Sequence, residues 1–298
     1  MDVWRVSGTS LNDLYALVAS DNWEWGMPLG LAHWDGVRWQ WVKRLEKAWI
    51  QRMILESGYL FLLDFNGAVL RADPRGAWQT YQAPRVPPYG YHTALATHPD
   101  EILIAGRGGA LFRLYQSAWE RIETDTTEHL WDLEGASARC LICGDNGTLL
   151  RFDGTACHRL NAGTTHHLTQ IDQGPDGLTF VAGGISSRGH GSLIRIDPTN
   201  AYSCTLFKTP TRFYGLATVS DHEVYGATLD AGVLLWDGRD FAPSLPDGSS
   251  TLPPGNSVSH LAKINATVAG CGRGPVIVFG PPTWQQLPVV LDEAFVAG

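Results

Sequence analysis

Six positions in the sequence have a histidine or a large aromatic residue just ahead of a strand-like segment. They are Trp49, His92, His129, His167, Tyr214 and His260. Imidazole can ligate a metal, donate hydrogen bonds and change its charge near neutral pH, so four histidines at one level of a fold could serve a metal ion or a bound anion. The carboxylates and supporting partners of a metal site cannot be located in the sequence. We therefore expect these six residues to line a binding site that holds no metal ion or other cofactor.

A tryptophan-rich loop is the second group that could make contacts. The segment DNWEWGMPLG, from Asp21 to Gly30, carries Trp23, Trp25 and Met27. Tryptophan is enriched among the residues that dominate binding interfaces, which favours a role in anchoring a partner. The alternative is that these residues cover the junction between the first and last units of the fold, and both interpretations stay open.

The elements that position these residues repeat along the sequence. The phrase NGTLLRFDG, from Asn146 to Gly154, occurs in seven related copies, among them LGLAHWDG, HGSLIRIDP and AGVLLWDG. Their glycines, 37 to 44 residues apart, are Gly30, Gly67, Gly109, Gly147, Gly191, Gly232 and Gly274. Each repeat has room for four short strand-like segments, and four strands per unit of about 40 residues are typical of β-propeller blades.

The repeats predict an all-β fold: a seven-bladed β-propeller of four-stranded antiparallel blades, forming a single domain over residues 1–298. The predicted blade units are approximately 1–46, 47–86, 87–125, 126–164, 165–209, 210–255 and 256–298. In a propeller, the level of the six residues ahead of the innermost strands lies at one mouth of the central channel. Long loops on such a rigid scaffold are where binding usually occurs.

Parts of the sequence resemble the WD40 family. The stretch YHTALATHPDEILIAGRGGALFRLY has a histidine before its innermost strand, and the pairs Trp34-Asp35 and Trp236-Asp237 close a third strand. The resemblance extends over all seven units. It implies a WD40-like propeller in which the histidine bonds within its own blade and fastens a loop to the strands.

The two ends of the sequence predict how the ring closes. WD40 proteins usually complete the last blade with an N-terminal strand. Here VWRVSG already has the pattern of an innermost strand, and the seventh unit contains its own outer strand, TWQQLPV. The tail from Val289 to Gly298 is then surplus, and we expect it to pack across the closure or to cover a strand edge.

Recurring Asp-Gly and Asp-Pro pairs have a structural explanation. They begin at Asp35, Asp73, Asp153, Asp197 and Asp237. Aspartate accepts hydrogen bonds from the amides of its own turn, while Gly or Pro supplies the backbone angles. We interpret them as hairpin turns between the last two strands of a blade, in preference to a set of catalytic carboxylates.

Composition limits the possible partners and compartments. The net charge of −8, with no run of Lys or Arg, disfavours nucleic acid and points to a basic protein partner. No apolar run approaches the roughly 20 residues of a membrane span. Five cysteines at unpatterned spacings and an N-terminus unlike a secretion signal favour the cytoplasm. We expect a compact monomer.

Three classes of function remain. We favour a non-catalytic protein-binding scaffold, because no catalytic constellation such as GxSxG or HExxH is present. A stoichiometric inhibitor of the immunity-protein type, which neutralises a toxin, is one form that such a scaffold could take. One alternative is an enzyme, a lyase or metal-dependent hydrolase, acting at the histidine-ringed mouth. The other is a lectin that uses the repeated Trp39, Trp78, Trp119 and Trp284, although packing between blades explains these residues more simply.

Overall fold

The protein folds as seven four-stranded antiparallel sheets, each built from four consecutive strands. The structure is a computed structural model that describes residues 2–19, 30–45, 48–85, 90–136, 139–175, 177–185, 189–228, 232–245, 257–265, 267–274, 276–280 and 284–291. The predicted fold is confirmed: the protein is a seven-bladed β-propeller. Each sheet falls within one of the seven predicted blade units.

The strands are numbered in sequence order, four to a blade. Blade 1 comprises β1 (Asp2–Ser10), β2 (Asp13–Ala19), β3 (Gly30–Trp34) and β4 (Trp39–Arg44); blade 2 comprises β5 (Ile50–Glu56), β6 (Tyr59–Asp64), β7 (Ala68–Ala72) and β8 (Trp78–Gln82). Blade 3 comprises β9 (Tyr91–His98), β10 (Glu101–Gly106), β11 (Leu111–Tyr115) and β12 (Ala118–Arg121), with a short 3₁₀ turn at Arg107–Gly109; blade 4 comprises β13 (Leu130–Ala136), β14 (Arg139–Gly144), β15 (Leu149–Phe152) and β16 (Cys157–Arg159). Blade 5 comprises β17 (His167–Gln173), β18 (Thr179–Gly184), β19 (Gly191–Asp197) and β20 (Ser203–Thr209); blade 6 comprises β21 (Gly215–Ser220), β22 (Glu223–Ala227), β23 (Val233–Trp236) and β24 (Phe241–Leu245); blade 7 comprises β25 (His260–Ile264), β26 (Thr267–Cys271), β27 (Val276–Gly280) and β28 (Gln285–Pro288).

Burial changes in a regular way across each blade. The second strand is an almost unbroken apolar run that is buried on both faces, as in YLFLLD of β6 and TFVAGG of β18. A strand covered on both sides needs no polar face, which explains why these segments do not alternate. The outermost strands, such as β8 and β16, are half-buried or exposed.

The strands group into two compact units. One contains blades 1, 6 and 7, within residues 1–49 and 214–298, and the other contains blades 2 to 5, within residues 50–213. Within each unit, apolar clusters fill the space between adjacent blades. Trp39, Trp119 and Trp284 lie in or against these clusters, so their rings are used for packing, as the simpler interpretation proposed. No helix in the described ranges is long and apolar enough to span a membrane.

The two ends of the protein meet within the first unit. The Val3 amide donates to the Gly274 carbonyl at 3.2 Å, and the Trp39 indole Nε1 donates to the Pro288 carbonyl at 3.1 Å. Val289 is only 2 % exposed, in the cluster shared by blades 1 and 7, and Leu291 packs against it. Blades 1 and 7 each supply their own four strands, and Val289 and Leu291 pack across the closure as expected. The remainder of the predicted tail lies outside the described residues.

The repeat glycine is required where one blade meets the segment leading into the next. Gly109 and Gly147 have φ of +70° and +65°. Their amides donate to the carbonyls of Glu128 at 2.8 Å and His166 at 2.9 Å, residues that lie just ahead of the next innermost strand. A Cβ at Gly147 would overlap the Thr164 carbonyl oxygen. Backbone angle and close approach therefore both require glycine.

The aspartate turns have the predicted form. The Asp153 carboxylate Oδ1 accepts the amides of Thr155 at 3.1 Å and Ala156 at 2.9 Å, and the Asp237 carboxylate accepts those of Arg239 and Asp240, both at 2.8 Å. These amide donors, led by that of Ala156 at Asp153, lower the pKa of both carboxyl groups. Both carboxylates are occupied by their own turns.

A buried ion pair links innermost strands within the second unit. The guanidinium of Arg52 on β5 lies 3.3 Å from the carboxylate of Asp132 on β13 and 3.9 Å from that of Glu134. The Thr93 hydroxyl of β9 donates to Asp132 at 2.9 Å, and the Ile171 amide of β17 at 3.2 Å. Asp132 is 4 % exposed, and these donors offset the cost of removing its charge from water. One carboxylate thus joins four successive blades.

Replacing a repeat glycine should destabilise the protein far more than replacing a glycine that has a similar φ but no close neighbouring atom. We expect Gly147→Ala to lower the free energy of unfolding by roughly 3 kcal/mol or more, because overpacking adds to the cost of a left-handed residue. Gly76 is the matched control, with φ of +83° and no atom within 4 Å of the position that a Cβ would take. Gly76→Ala should cost about 1–2 kcal/mol. Urea unfolding measures both, and equal losses would show that the close approach is unimportant.

The closure is tested by two adjacent valines. We expect Val289→Ala to lower the free energy of unfolding by roughly 1.5–3 kcal/mol, since a buried side chain loses its packing. Val290 is 74 % exposed, and Val290→Ala should change stability by no more than about 0.5 kcal/mol. Thermal and urea unfolding measure both variants. If Val289→Ala were as stable as the wild type, the proposed packing of Val289 across the closure would be contradicted.

Candidate functional site

The six residues predicted just ahead of the innermost strands are called the lead-in residues. Three of them lie together in the second unit. His92 is the second residue of β9, His129 directly precedes β13 and His167 is the first residue of β17. The rings of His92 and His129 have centroids 6.5 Å apart. These residues come from blades 3, 4 and 5, where the connections between blades lead into the innermost strands.

Trp131 of β13 holds two of these histidines in place. Its ring stacks on His92 with centroids 4.1 Å apart and an interplanar angle of 29°, and it meets His129 edge-on at 6.4 Å. Its indole Nε1 donates to the Asp145 carboxylate at 2.5 Å. Two stacked rings with a bonded polar edge have little rotamer freedom, so the arrangement is rigid.

Asp145 connects Trp131 to His167. The same carboxylate oxygen, Oδ1, accepts a hydrogen bond from His167 Nδ1 at 2.7 Å. This bond places the proton of the imidazole on Nδ1 and leaves Nε2 on the opposite edge of the ring, in a residue whose side-chain exposure is 49 %. An indole, a carboxylate and an imidazole therefore form a bonded row.

His129 is oriented by the turn of the preceding blade. The Gly108 amide donates to His129 Nδ1 at 3.2 Å, so the neutral ring carries its proton on Nε2. The resemblance to WD40 repeats implied that such histidines bond within their own blade. That expectation is wrong for His129 and His167, because each bonds the preceding blade, through Gly108 and Asp145 respectively.

Arg107 adds a cationic group to the same region. Its guanidinium lies over the Phe65 ring, 5.2 Å from the centroid, and Phe65 lies 5.8 Å from His92. We call this set the histidine row; its members are Phe65, His92, Arg107, His129, Trp131, Asp145 and His167. It combines aromatic faces, one guanidinium and three imidazoles on blades 2 to 5.

Burial and neighbouring charge keep His92 neutral. Its relative exposure is 9 %, and this burial, reinforced by nearby Arg107 and His129, lowers the pKa of His92 to about 4. Its Nε2 is buried with no hydrogen-bond partner among the described residues. His92 is thus a neutral ring that contributes packing and one unused polar atom.

Sequence reasoning missed the turn residues of the histidine row. Phe65, Arg107 and Asp145 each stand two positions before a repeat glycine, at Gly67, Gly109 and Gly147 respectively. Aligning that position across the repeats, like the lead-in position, would have found all three. Trp131 carried no such signal, because in HLWDL it has the pattern of an ordinary strand residue.

The other three lead-in residues lie in the first unit. The His260 imidazole Nδ1 lies 3.1 Å from the Arg5 guanidinium, and the Tyr214 amide donates to the Ala227 carbonyl at 2.8 Å. Trp49 is half-buried just before β5. All three fall in the first unit, and their part in one site with the histidine row stays a prediction. Trp23, Trp25 and Met27 lie outside the described residues.

The described residues contain no group of three or more His, Cys, Asp or Glu side chains arranged to hold a metal ion. His167 and Asp145 form an imidazole oriented by a carboxylate, as a general base would be, and His33–Asp13 and His158–Asp153 are pairs of the same kind elsewhere. Chemically, the histidine row can offer aromatic contact, hydrogen bonds and one positive charge to a ligand.

Comparison with known proteins defines the fold alone. No family model and no curated protein matches the sequence. Among solved structures, the protein is similar to streptogramin B lyase, with a TM-score of 0.71 and 11% identity over 91% of both sequences. It is also similar to YCF48 bound to D1 peptide, with a TM-score of 0.67 and 13% identity over 91% of this protein and 89% of that one. The GH74 enzyme of Niastella koreensis has a TM-score of 0.70 and 13% identity over 96% of this protein and 53% of that one. What they share is the propeller.

The neutral state of His92 predicts a pH dependence of stability. An unfolded histidine protonates near pH 6.5, whereas His92 in the folded protein protonates only near pH 4. Between these values the unfolded protein holds a proton that the folded protein lacks, so stability should fall as the pH drops through this window. We expect His92→Gln to make the urea midpoint less dependent on pH between 6.5 and 4. The control, His98→Gln, removes an exposed histidine from the same strand, and an equal change in both variants would contradict the assignment.

Proposed function

We propose that the protein is a non-catalytic binding protein that engages a protein partner through the histidine row of blades 2 to 5. The observation that carries the proposal is that these side chains are positioned before any ligand arrives. The indole of Trp131 and the imidazole of His167 bond one carboxylate, that of Asp145, and His129 is held by a backbone amide. A surface whose side chains are already ordered loses less entropy on binding.

The residue types also support a protein partner. Aromatic residues and arginine are enriched at protein interfaces, and hot spots combine them in well-packed clusters. The similarity to YCF48 bound to D1 peptide supports the use of such a propeller to hold a polypeptide, as does the resemblance to WD40 repeats. The net charge of −8 favours a partner that is basic overall. A monomer that binds one partner stoichiometrically, as an immunity-type inhibitor does, fits this description.

A second candidate function is catalysis at the same row. It is favoured by one observation: Asp145 orients His167 so that the imidazole Nε2 faces away from the carboxylate on a half-exposed residue. The similarity to streptogramin B lyase shows that an enzyme can have this fold. We rank catalysis second because no metal-binding group among the described residues accompanies the pair.

Two histidines of blade 4 and blade 5 provide a matched test of the binding proposal. His167 bonds Asp145 at 2.7 Å and is 49 % exposed, while His158 on the outer strand β16 bonds Asp153 at 2.6 Å and is 47 % exposed. We expect tagged wild-type protein to retain one near-stoichiometric protein from a lysate of its own source. His167→Ala should weaken that complex by about tenfold or more, measured by titration of the purified pair, and His158→Ala should not.

Two outcomes would contradict the proposal. If His167→Ala and His158→Ala bind the partner equally well, the interface lies elsewhere. If the protein is recovered alone with stoichiometric metal that is lost in a His129→Ala plus His167→Ala double variant, the catalytic alternative replaces the scaffold.

A further inference from the structure

Arg107 differs from Arg52 and Arg71 of the second unit in having no acidic partner among the described residues. Arg52 meets Asp132 at 3.3 Å, and Arg71 meets Asp100 at 2.8 Å. The Nε atom of Arg107 is buried and has no hydrogen-bond partner in the described ranges. The side chain as a whole is only half-buried, so the rest of the guanidinium can still be reached from solvent while the Nε–H goes unpaired.

The acidic residue of the row is already committed elsewhere. Asp145 accepts the indole proton of Trp131 and the Nδ1 proton of His167 on the same oxygen. Its carboxylate therefore serves to order the row. The positive charge of Arg107 is left facing a ring, that of Phe65.

Two neutral imidazoles complete the environment of this charge. His129 carries its proton on Nε2, because Nδ1 accepts the Gly108 amide, so it presents a donor. His92 is buried beside it with Nε2 unsatisfied, 6.5 Å from His129 between ring centroids. The proximity of Arg107 adds to burial in lowering the pKa of His92. One full positive charge and polar nitrogen atoms thus lie in the same row as the Asp145 carboxylate, whose Oδ1 already accepts two hydrogen bonds.

We propose that Arg107 and His129 bind a carboxylate group presented by the partner, beside the buried ring of His92. The proposal rests on the proposed function and adds the chemistry that the partner must supply. A guanidinium binds carboxylate in a two-pronged, charge-assisted geometry, and an imidazole N–H can donate to the same group. A single cationic group matches a monoanion, whereas doubly charged phosphate groups are usually bound by several arginines.

The carboxylate can come from the C-terminus of a polypeptide or from an Asp or Glu residue, and small probes separate these sources. N-acetylglycine represents the C-terminus, N-acetylaspartate with its α-carboxyl amidated represents the acidic residue, and N-acetylglycinamide is the neutral control. Each is titrated into the protein with ¹⁵N-labelled histidine while the imidazole signals are followed. The His92 and His129 signals are assigned from the His92→Gln and His129→Gln variants.

We expect at least one carboxylate probe to give saturable shifts of the His92 and His129 signals, while N-acetylglycinamide gives none. Arg107→Gln should weaken this binding at least about tenfold. The matched control is Arg121→Gln in the same blade, because Arg121 is exposed and already paired with Glu123 at 3.4 Å. Arg107→Lys keeps the charge without the planar fork and should bind with intermediate affinity.

The proposal is overturned if the acid and amide probes shift the signals equally, or if Arg107→Gln binds like the wild type while its urea midpoint shows that it is folded. Failure of this inference can be distinguished from failure of the proposed function. A partner that is lost by His167→Ala but retained at full affinity by Arg107→Gln would leave the scaffold intact and exclude the carboxylate contact.

Discussion

The histidine row depends on a backbone contact between the turn of one blade and the segment that leads into the next. The amides of Gly109 and Gly147 bond the carbonyls of Glu128 and His166, and the Tyr91 amide bonds the Phe65 carbonyl at 2.9 Å where blade 2 meets blade 3. Because backbone polar groups near the interior must be paired, each turn is held against the following lead-in segment. Side chains on the two segments are then close enough to form a ring contact or a hydrogen bond where their chemistry permits. Phe65 with His92, and Asp145 with His167, are the results.

The same contact explains which parts of the protein could be predicted from its sequence. Blade number, strand order and aspartate turns follow from a period of about 40 residues and from local turn chemistry, and neither depends on distant contacts. The lead-in residues could be aligned, but their bonding could not, since a histidine is adjacent to two blades and the sequence does not say which one it meets. His129 and His167 both bond the preceding blade. Trp131 could not be predicted as a site residue, because a tryptophan in a strand usually packs in the hydrophobic core.

Charge is distributed differently in the interior and in the histidine row of the second unit. At the innermost strands, Arg52 meets Asp132 and Glu134, and the Thr93 hydroxyl and Ile171 amide satisfy further acceptors. In the row, Asp145 accepts from an indole and an imidazole, and Arg107 faces an aromatic ring. The first arrangement is complete in itself. In the second, Arg107 has no acidic partner among the described residues, although the net charge of the protein is −8. For the proposed partner, long-range attraction and the local contact would therefore select for different properties.

The closure of the first unit has a consequence for how the protein acquires its structure. The contacts of Arg5 with His260, of Asp2 with Gly274 and of Trp39 with Pro288 join residues that are 249 to 272 positions apart. Apart from the ion pairs of Arg52 with Asp132 and Glu134, the contacts described for blades 2 to 5 join neighbouring repeats, which close short loops and form quickly. During synthesis, residues 50–213 can complete their packing while blade 1, although made first, has an uncovered apolar face until blade 7 emerges. Blade 1, which is synthesised before the other six blades, is therefore among the last to be protected from aggregation.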